Sequence, residues 1–480
     1  MKIFPILFIL FLVGCAEIIS TKELSIAKSI PKYWENPLPE SEQYTGAWWD
    51  SFQDTTLSRI FLDFQKSGPD ILSISYRLKM AQQLVKINTV SKFPSVSAGL
   101  SGSSRKQNLA AFGFGNDFFG GGQGDGQSGG NGVTSFTSEN YGLNLSMQWE
   151  LDIWGRLFNQ RKAFVQDYES AQYELSYLKF SLQIQLMKLF YSAVESMNQY
   201  QLAMETVASV TELAEMVSSR YEKGLRSSLD LRLTQSSVST AKALLENRHQ
   251  VYLLTVRNLQ AMLGQYPDGN YALSAVLPDS LPLVPAGIPA DILERRPDIK
   301  SAIAKAKAAS HRSAEAMRSL LPGIILTGSL GTSSTELSDI LNQDYQIWSG
   351  GSNVNLPLFQ GGRLISNLKM SRASLELAEV ALVQSIIKAF SEVEQTLFAE
   401  KSNKILLASY EDSAEQAEAA YKLSSERYDS GLVDLIAVLD SQQRWFQARS
   451  QVLLAKKAKI DTRLNLILAL GGDIGKNIEK

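Results

Sequence analysis

The chain matches itself. Arg220-Tyr221-Glu222-Lys223-Gly224-Leu225 reappears as Arg427-Tyr428-Asp429-Ser430-Gly431-Leu432, a separation of 207 positions. The same separation carries Gly155-Arg156-Leu157 onto Gly362-Arg363-Leu364 and Leu263-Gly264 onto Leu470-Gly471. A separation held constant over so long a stretch leaves no room for net insertions, so whatever the first copy folds into, the second must fold into again. Upstream, Pro69-Asp70-Ile71 matches Pro297-Asp298-Ile299 and Pro94 matches Pro322 at a separation of 228, which gives the first copy 21 extra residues before Gly155. The tract Gly113 to Gly132 supplies them and reads as an elongated, flexible loop. Its Gly113-Phe114-Gly115 start lacks the third glycine and the following helix of a nucleotide cradle.

Each copy reads as a helix, two strands and a very long helical hairpin. In the first, Tyr141, Leu143, Leu145, Met147, Trp149 and Leu151 alternate with Gly142, Asn144, Ser146, Gln148 and Glu150, the period of a strand with one greasy and one wet face. The second has Trp348, Val354, Leu356 and Leu358 against Ser349, Asn353 and Asn355, with Pro357 ending regular pairing. Partner strands follow Pro94 and Pro322, so four strands are expected, at about 94–106, 139–151, 322–333 and 346–358. A soluble sandwich could be built from such strands, but the helices argue otherwise. Gly155 to Tyr221 contains no proline and is long enough for one helix of about 100 Å at 1.5 Å per residue, well beyond a globular domain. The return segment, Leu229 to Leu263, and the helix expected over Leu57 to Val90 are each about half as long. Leu368, Leu375, Leu382 and Ala389 recur every seven residues, the spacing of coiled-coil packing. The boundaries that follow are 56–266 for the first repeat, 267–289 for a linker, 290–472 for the second repeat and 473–480 for a tail, with hairpin tips near 221–229 and 428–436.

With 47 basic and 49 acidic residues the net charge is −2, which offers no basic footprint for nucleic acid. The only long apolar run, Ile3 to Val13, is too short to span a bilayer as a helix. It ends at Leu12-Val13-Gly14-Cys15, and Cys15 is the only cysteine, so no disulfide can form within the chain. Residues 1–14 resemble a bacterial lipoprotein signal peptide, with Cys15 as the lipidated mature N-terminus and 15–55 as a tether and equatorial segment. An ordinary secretory signal with an accidental cysteine is the alternative. Ala16 follows where an aspartate would mark inner-membrane retention. His249 and His311 lie in separate helical segments without zinc-ligand spacing, and no acid–base pair stands out, so no metal, cofactor or catalytic set is expected and the chain is not read as an enzyme.

Trp48-Trp49-Asp50-Ser51-Phe52-Gln53-Asp54, Trp149-Glu150-Leu151-Asp152-Ile153-Trp154-Gly155-Arg156, Leu293-Glu294-Arg295-Arg296-Pro297-Asp298-Ile299 and the paired Arg-Tyr-x-x-Gly-Leu elements resemble, in this order, the outer membrane efflux protein family of TolC-like ducts, in its OprM-like lipoprotein branch. The resemblance implies a mainly α fold with a membrane β-barrel: long hairpins forming an α-barrel, and four strands per chain contributing to a trimeric twelve-stranded barrel. Physics favours the same closure, because four strands leave open edges that lipid does not satisfy. Trp149, Trp154 and Trp348 lie near strand ends, where either an interfacial girdle or core filling accounts for them.

From the resemblance come the expected roles. The chain would be a homotrimeric outer-membrane exit duct, anchored by a covalent lipid on Cys15 and passively conducting substrates. A periplasmic membrane fusion (adaptor) protein and an inner-membrane pump of the resistance-nodulation-division type would be its partners. Gly224, Leu225, Gly431 and Leu432 match the adaptor-docking element, beside a plain turn role for the glycines. Asp230 matches a gate aspartate that pairs with a tyrosine matching Tyr428, and Asp440 matches a ring aspartate near the axis. Val433 and Ala437 depart from the family's gate arginine and second ring aspartate, leaving the neighbouring Asp434 as a substitute polar contact. Without the resemblance each carboxylate reads as a solvated helix charge. A ring of Asp440 would favour cations. A type I protein-secretion duct and a non-conducting, periplasm-spanning structural lipoprotein are the alternative functions.

Overall fold

The computed structural model describes residues 31–36, 52, 55–108, 135–273, 276–281, 284 and 289–471. The signal peptide, Cys15, most of the Trp48–Asp54 motif, the glycine-rich tract 113–132 and the 473–480 tail lie outside the described residues. The order is α1 (Thr55–Ser67), α2 (Pro69–Thr89), β1 (Ser95–Asn108), β2 (Ser135–Leu151), α3 (Arg156–Glu222) and α4 (Ser228–Met262). It continues with α5 (Asp291–Arg295), α6 (Pro297–Arg318), β3 (Gly323–Thr332), β4 (Gln346–Asn355), α7 (Arg363–Asp429) and α8 (Leu435–Ala469).

The four hairpin helices contain neither proline nor glycine. α3 and α7 each run 67 residues and α4 and α8 each 35, with both pairs starting 207 positions apart. Their stops are backbone devices. Gly224 and Gly431 adopt φ of 73° and 74°, and the amides around them close the same Schellman pattern: Leu225 N donates to Arg220 O and Leu432 N to Arg427 O, both at 2.8 Å. Gly264 and Gly471 end the return helices with positive φ.

The helix expected over Leu57 to Val90 is instead two. Pro69 has no amide hydrogen to extend α1 and sits at the first position of α2, where none is needed. Gly68 makes the junction, because a Cβ there would lie 2.6 Å from the Phe64 carbonyl. Arg296-Pro297 breaks α5 from α6 in the same way, with Arg296 at ψ 121°.

Two compact units divide the chain. One comprises the described residues up to 80 with 169–304 and those from 379 onward. Its core gathers Phe61, Phe64, Tyr191, Leu259, Ile299, Val393 and Leu464, and a smaller cluster of Leu213, Val217, Tyr428, Leu435 and Val438 lies near the hairpin tips. The other unit, 81–168 and 305–378, holds an antiparallel sheet in the order β1-β2-β3-β4. Register puts most of the greasy residues on one face: Val96, Ala98 and Leu100 oppose Met147, Leu145 and Leu143, Leu326 opposes Trp149, and Val354 opposes Ile324, while Ile325 and Ile347 fall on the other. The other face carries the Ser97–Ser146 and Ser329–Ser349 hydroxyl pairs, each at 2.7 Å.

The Trp149–Arg156 motif is a strand-to-helix joint within this second unit. Asp152 caps α3 by accepting from Leu157 N (3.0 Å) and Phe158 N (2.7 Å), Arg156 grips Glu150, and Trp154 Nε1 donates to the Pro322 carbonyl at 2.8 Å. Trp149 Nε1 donates to the Lys92 carbonyl, so both indoles also secure the backbone.

Candidate functional site

The sequence singles out the hairpin tips, and the residues there have specific local duties. Ser227 and Asp230 form a capping box at the start of α4: Asp230 N donates to Ser227 Oγ (3.2 Å), and Ser227 N donates back to the Asp230 carboxylate (3.4 Å). Asp434 is the N-cap of α8, accepting from Ala437 N at 3.0 Å. The expected Asp230–Tyr428 hydrogen bond is not made. Tyr428 is 1% exposed inside the small apolar cluster, and its hydroxyl has no hydrogen-bond partner. Its ring instead meets two guanidinium groups, Arg226 at 4.3 Å and Arg220 at 5.5 Å from the centroid. Arg220 also pairs with Asp429 at 2.9 Å, so α3 and α7 are tied beside their Schellman ends.

Within the single chain, then, the Asp230–Tyr428 contact is absent. The carboxylates turn to backbone amides because a helix start offers unsatisfied donors within one turn, whereas Tyr428 points into an apolar cluster that no carboxylate enters. The nearer of the two arginines against Tyr428, Arg226, comes from the loop after α3.

Asp440 has a partner that the sequence reading overlooked. Arg444, one turn on, donates to its carboxylate at 2.8 Å with both side chains exposed, and this hydrogen bond and charge raise the Arg444 pKa. The i,i+4 spacing was the available signal.

At the tips, Leu225 is 69% exposed and Leu432 75%. Such a residue after a Schellman glycine usually packs back onto an apolar side chain one turn earlier. Here those positions are Arg220 and Arg427, so both leucines are left at the surface. Elsewhere in the same unit, a cleft of about 600 Å³ lies between α3, α4 and α8, lined by Thr206, Thr240, Gln443, Gln447 and Leu454 among others.

Arg296 is the other residue whose role sequence alone did not reveal. It is 1% exposed and donates to Asp298 (2.7 Å), Glu392 (2.7 Å) and the Ala469 carbonyl (2.9 Å). Burial opposes its charge, but the hydrogen bonds and charges of Asp298 and Glu392 outweigh that and raise its pKa. The Leu293–Ile299 motif thus plants a cation that ties α6 to α7 and the end of α8.

A family model described as "Outer membrane efflux protein" matches residues 63–265 and 288–472. The toluene efflux pump outer membrane protein TtgF of Pseudomonas putida is 32% identical over 332 residues, covering 69% of each chain. The pyoverdine export outer membrane protein OpmQ of Pseudomonas putida is 26% identical over 448 residues, covering 92% of each. The crystal structure of the Campylobacter jejuni CmeC outer membrane channel aligns with a TM-score of 0.81 over 91% of each chain, at 20% identity.

Proposed function

Because the chain belongs to the outer membrane efflux protein family, we propose that it is the exit duct of a tripartite efflux system. As a homotrimer it passively conducts what an inner-membrane pump of the resistance-nodulation-division type delivers through a periplasmic adaptor. A lipid on Cys15 adds an anchor in the outer membrane.

The observation that carries this reading is the sheet. One face carries apolar side chains from all four strands, with only Trp348 and Val354 from β4, and β1 and β4 are its two outer strands, so closure needs copies of the same sheet. Three copies place twelve strands in one barrel, with the serine and asparagine face turned to water. The exposed Leu225 and Leu432 support adaptor docking at the tips. Leu225→Ser with Leu432→Ser is expected to leave conductance intact while abolishing efflux-dependent resistance in cells.

At the constriction, Asp440 and Arg444 set selectivity together. In a planar bilayer, the protein should open in small, cation-preferring steps. Arg444→Gln should strengthen the cation preference, and Asp440→Asn should remove it. Arg226→Ala, which frees one face of Tyr428, should enlarge or prolong openings. Asp230→Asn, which keeps the acceptor for the Ser227 amide, should gate like the parent. Absence of conductance from verified, inserted trimers of every variant would overturn the duct in favour of a structural lipoprotein.

A further inference from the structure

The four strands lie antiparallel in sequence order, so the start of β1, the end of β2, the start of β3 and the end of β4 share one end of the sheet. At each, within a few residues, a large apolar side chain is exposed: Phe93 before β1, Ile153 after β2, Leu321 before β3 and Phe359 after β4. Isolated exposed hydrophobics need no explanation, but four at one level form a pattern. Phe158, in the first turn of α3, adds a fifth.

Two of these aromatic rings carry an ammonium group. Lys92 Nζ lies 4.9 Å from the Phe93 ring centroid and Lys162 Nζ 4.5 Å from that of Phe158. Both lysines are exposed, and neither forms an ion pair with a carboxylate among the described residues. The Trp149 indole holds the Lys92 carbonyl, which fixes the backbone beneath one of them. The level also has a natural depth. From Tyr141 to Leu151 the apolar row of β2 spans about 33 Å at ~3.3 Å per residue, or about 25 Å of bilayer at a tilt near 40°, the height of a barrel's apolar band. The rim lies where that band ends.

We propose that this rim is a phospholipid-headgroup seat, in which the exposed apolar side chains enter the acyl boundary and Lys92 and Lys162 bind the phosphates of anionic phospholipid. The inference rests on the barrel reading above. A greasy ring with its own cations matches a surface that is apolar on one side and anionic on the other, which a second protein copy or bulk water is not.

The test uses the full-length protein inserted into vesicles of phosphatidylcholine and phosphatidylglycerol, extracted and examined by native mass spectrometry for retained lipid. Retention of phosphatidylglycerol over phosphatidylcholine should fall about five-fold for Lys92→Gln or Lys162→Gln and roughly twenty-five-fold for the pair, as independent surface lysines would give. Lys242→Gln, an exposed change in α4, should retain lipid like the parent. Unchanged preference in an inserted double variant would overturn the seat. So would spin labels at positions 93 and 158 that report neither lipid nor water, since another copy would then cover the rim. A parent protein that fails to insert would remove the barrel reading, and this inference with it.

Discussion

Two adjacent arginines separate sequence from structure at the residue scale. Arg295 pairs with Asp291 at 3.5 Å in a partly exposed setting, an arrangement worth at most about 1 kcal/mol. Arg296 is buried among two carboxylates and a helix-end carbonyl. Arg296→Ala should cost more, about 1–3 kcal/mol, because it leaves the Ala469 carbonyl unpaired and takes a partner from two carboxylates that are each about a third exposed, while Arg295→Ala should barely shift the melting temperature. Equal losses in the two variants would contradict this account. Glu195 offers a pH-dependent counterpart. Burial raises its pKa above the ordinary 4.5, against the lowering effects of Gln199, Arg248 and Lys457, and its Oε1 has no partner. A raised carboxyl pKa favours folding below the unfolded value, and that benefit is lost as pH rises through the folded value. Glu195→Gln, which never ionises, should gain stability relative to the parent as pH rises through the range above the ordinary 4.5. A melting difference that stays flat over that range would rule this out.

Helix ends govern the element scale. Ser227→Ala removes the acceptor for the Asp230 amide and should cost about 1 kcal/mol, with faster hydrogen exchange confined to the first turn of α4. Asp434→Asn should keep the α8 cap and Asp434→Ala should lose a similar amount. Protection that is unchanged in Ser227→Ala would mean the cap is not needed for the helix start. An alanine at 230 would disturb a helix start and a charge together, whereas asparagine changes the charge alone.

For the whole molecule, the surface left on one chain indicates what must cover it. Along α2, Leu72, Tyr76 and Met80 are exposed at helical spacing in one unit, and Leu84 and Ile87 are exposed in the other, before the outer strand β1. Met370, Leu377 and Val380 are exposed on α7, the helix that follows the other outer strand, β4. Contiguous apolar stripes of this kind mark interfaces. On the proposed trimer, Met80→Glu with Leu84→Glu should yield monomer on native gels while leaving helix content by circular dichroism unchanged. A persistent oligomer would show that the α2 stripe lies outside the subunit interface.

The sequence by itself determined the lengths of the hairpins, their reversal at Gly224 and Gly431, and the two-faced strands. Each is a local backbone property: absence of proline and glycine inside a helix, a left-handed residue at its end, or alternation at a period of two. The break at Gly68-Pro69 is equally local, a proline without an amide hydrogen after a glycine where no Cβ fits, so the single helix expected there divides in two. Only tertiary structure decided that Arg296 rather than Arg295 is buried, that Tyr428 faces Arg220 and Arg226, and that its hydroxyl stays apart from Asp230. Those choices depend on which surfaces of α3, α7 and α8 converge, and a side chain's partner among several nearby charges is settled by that convergence rather than by spacing along the chain.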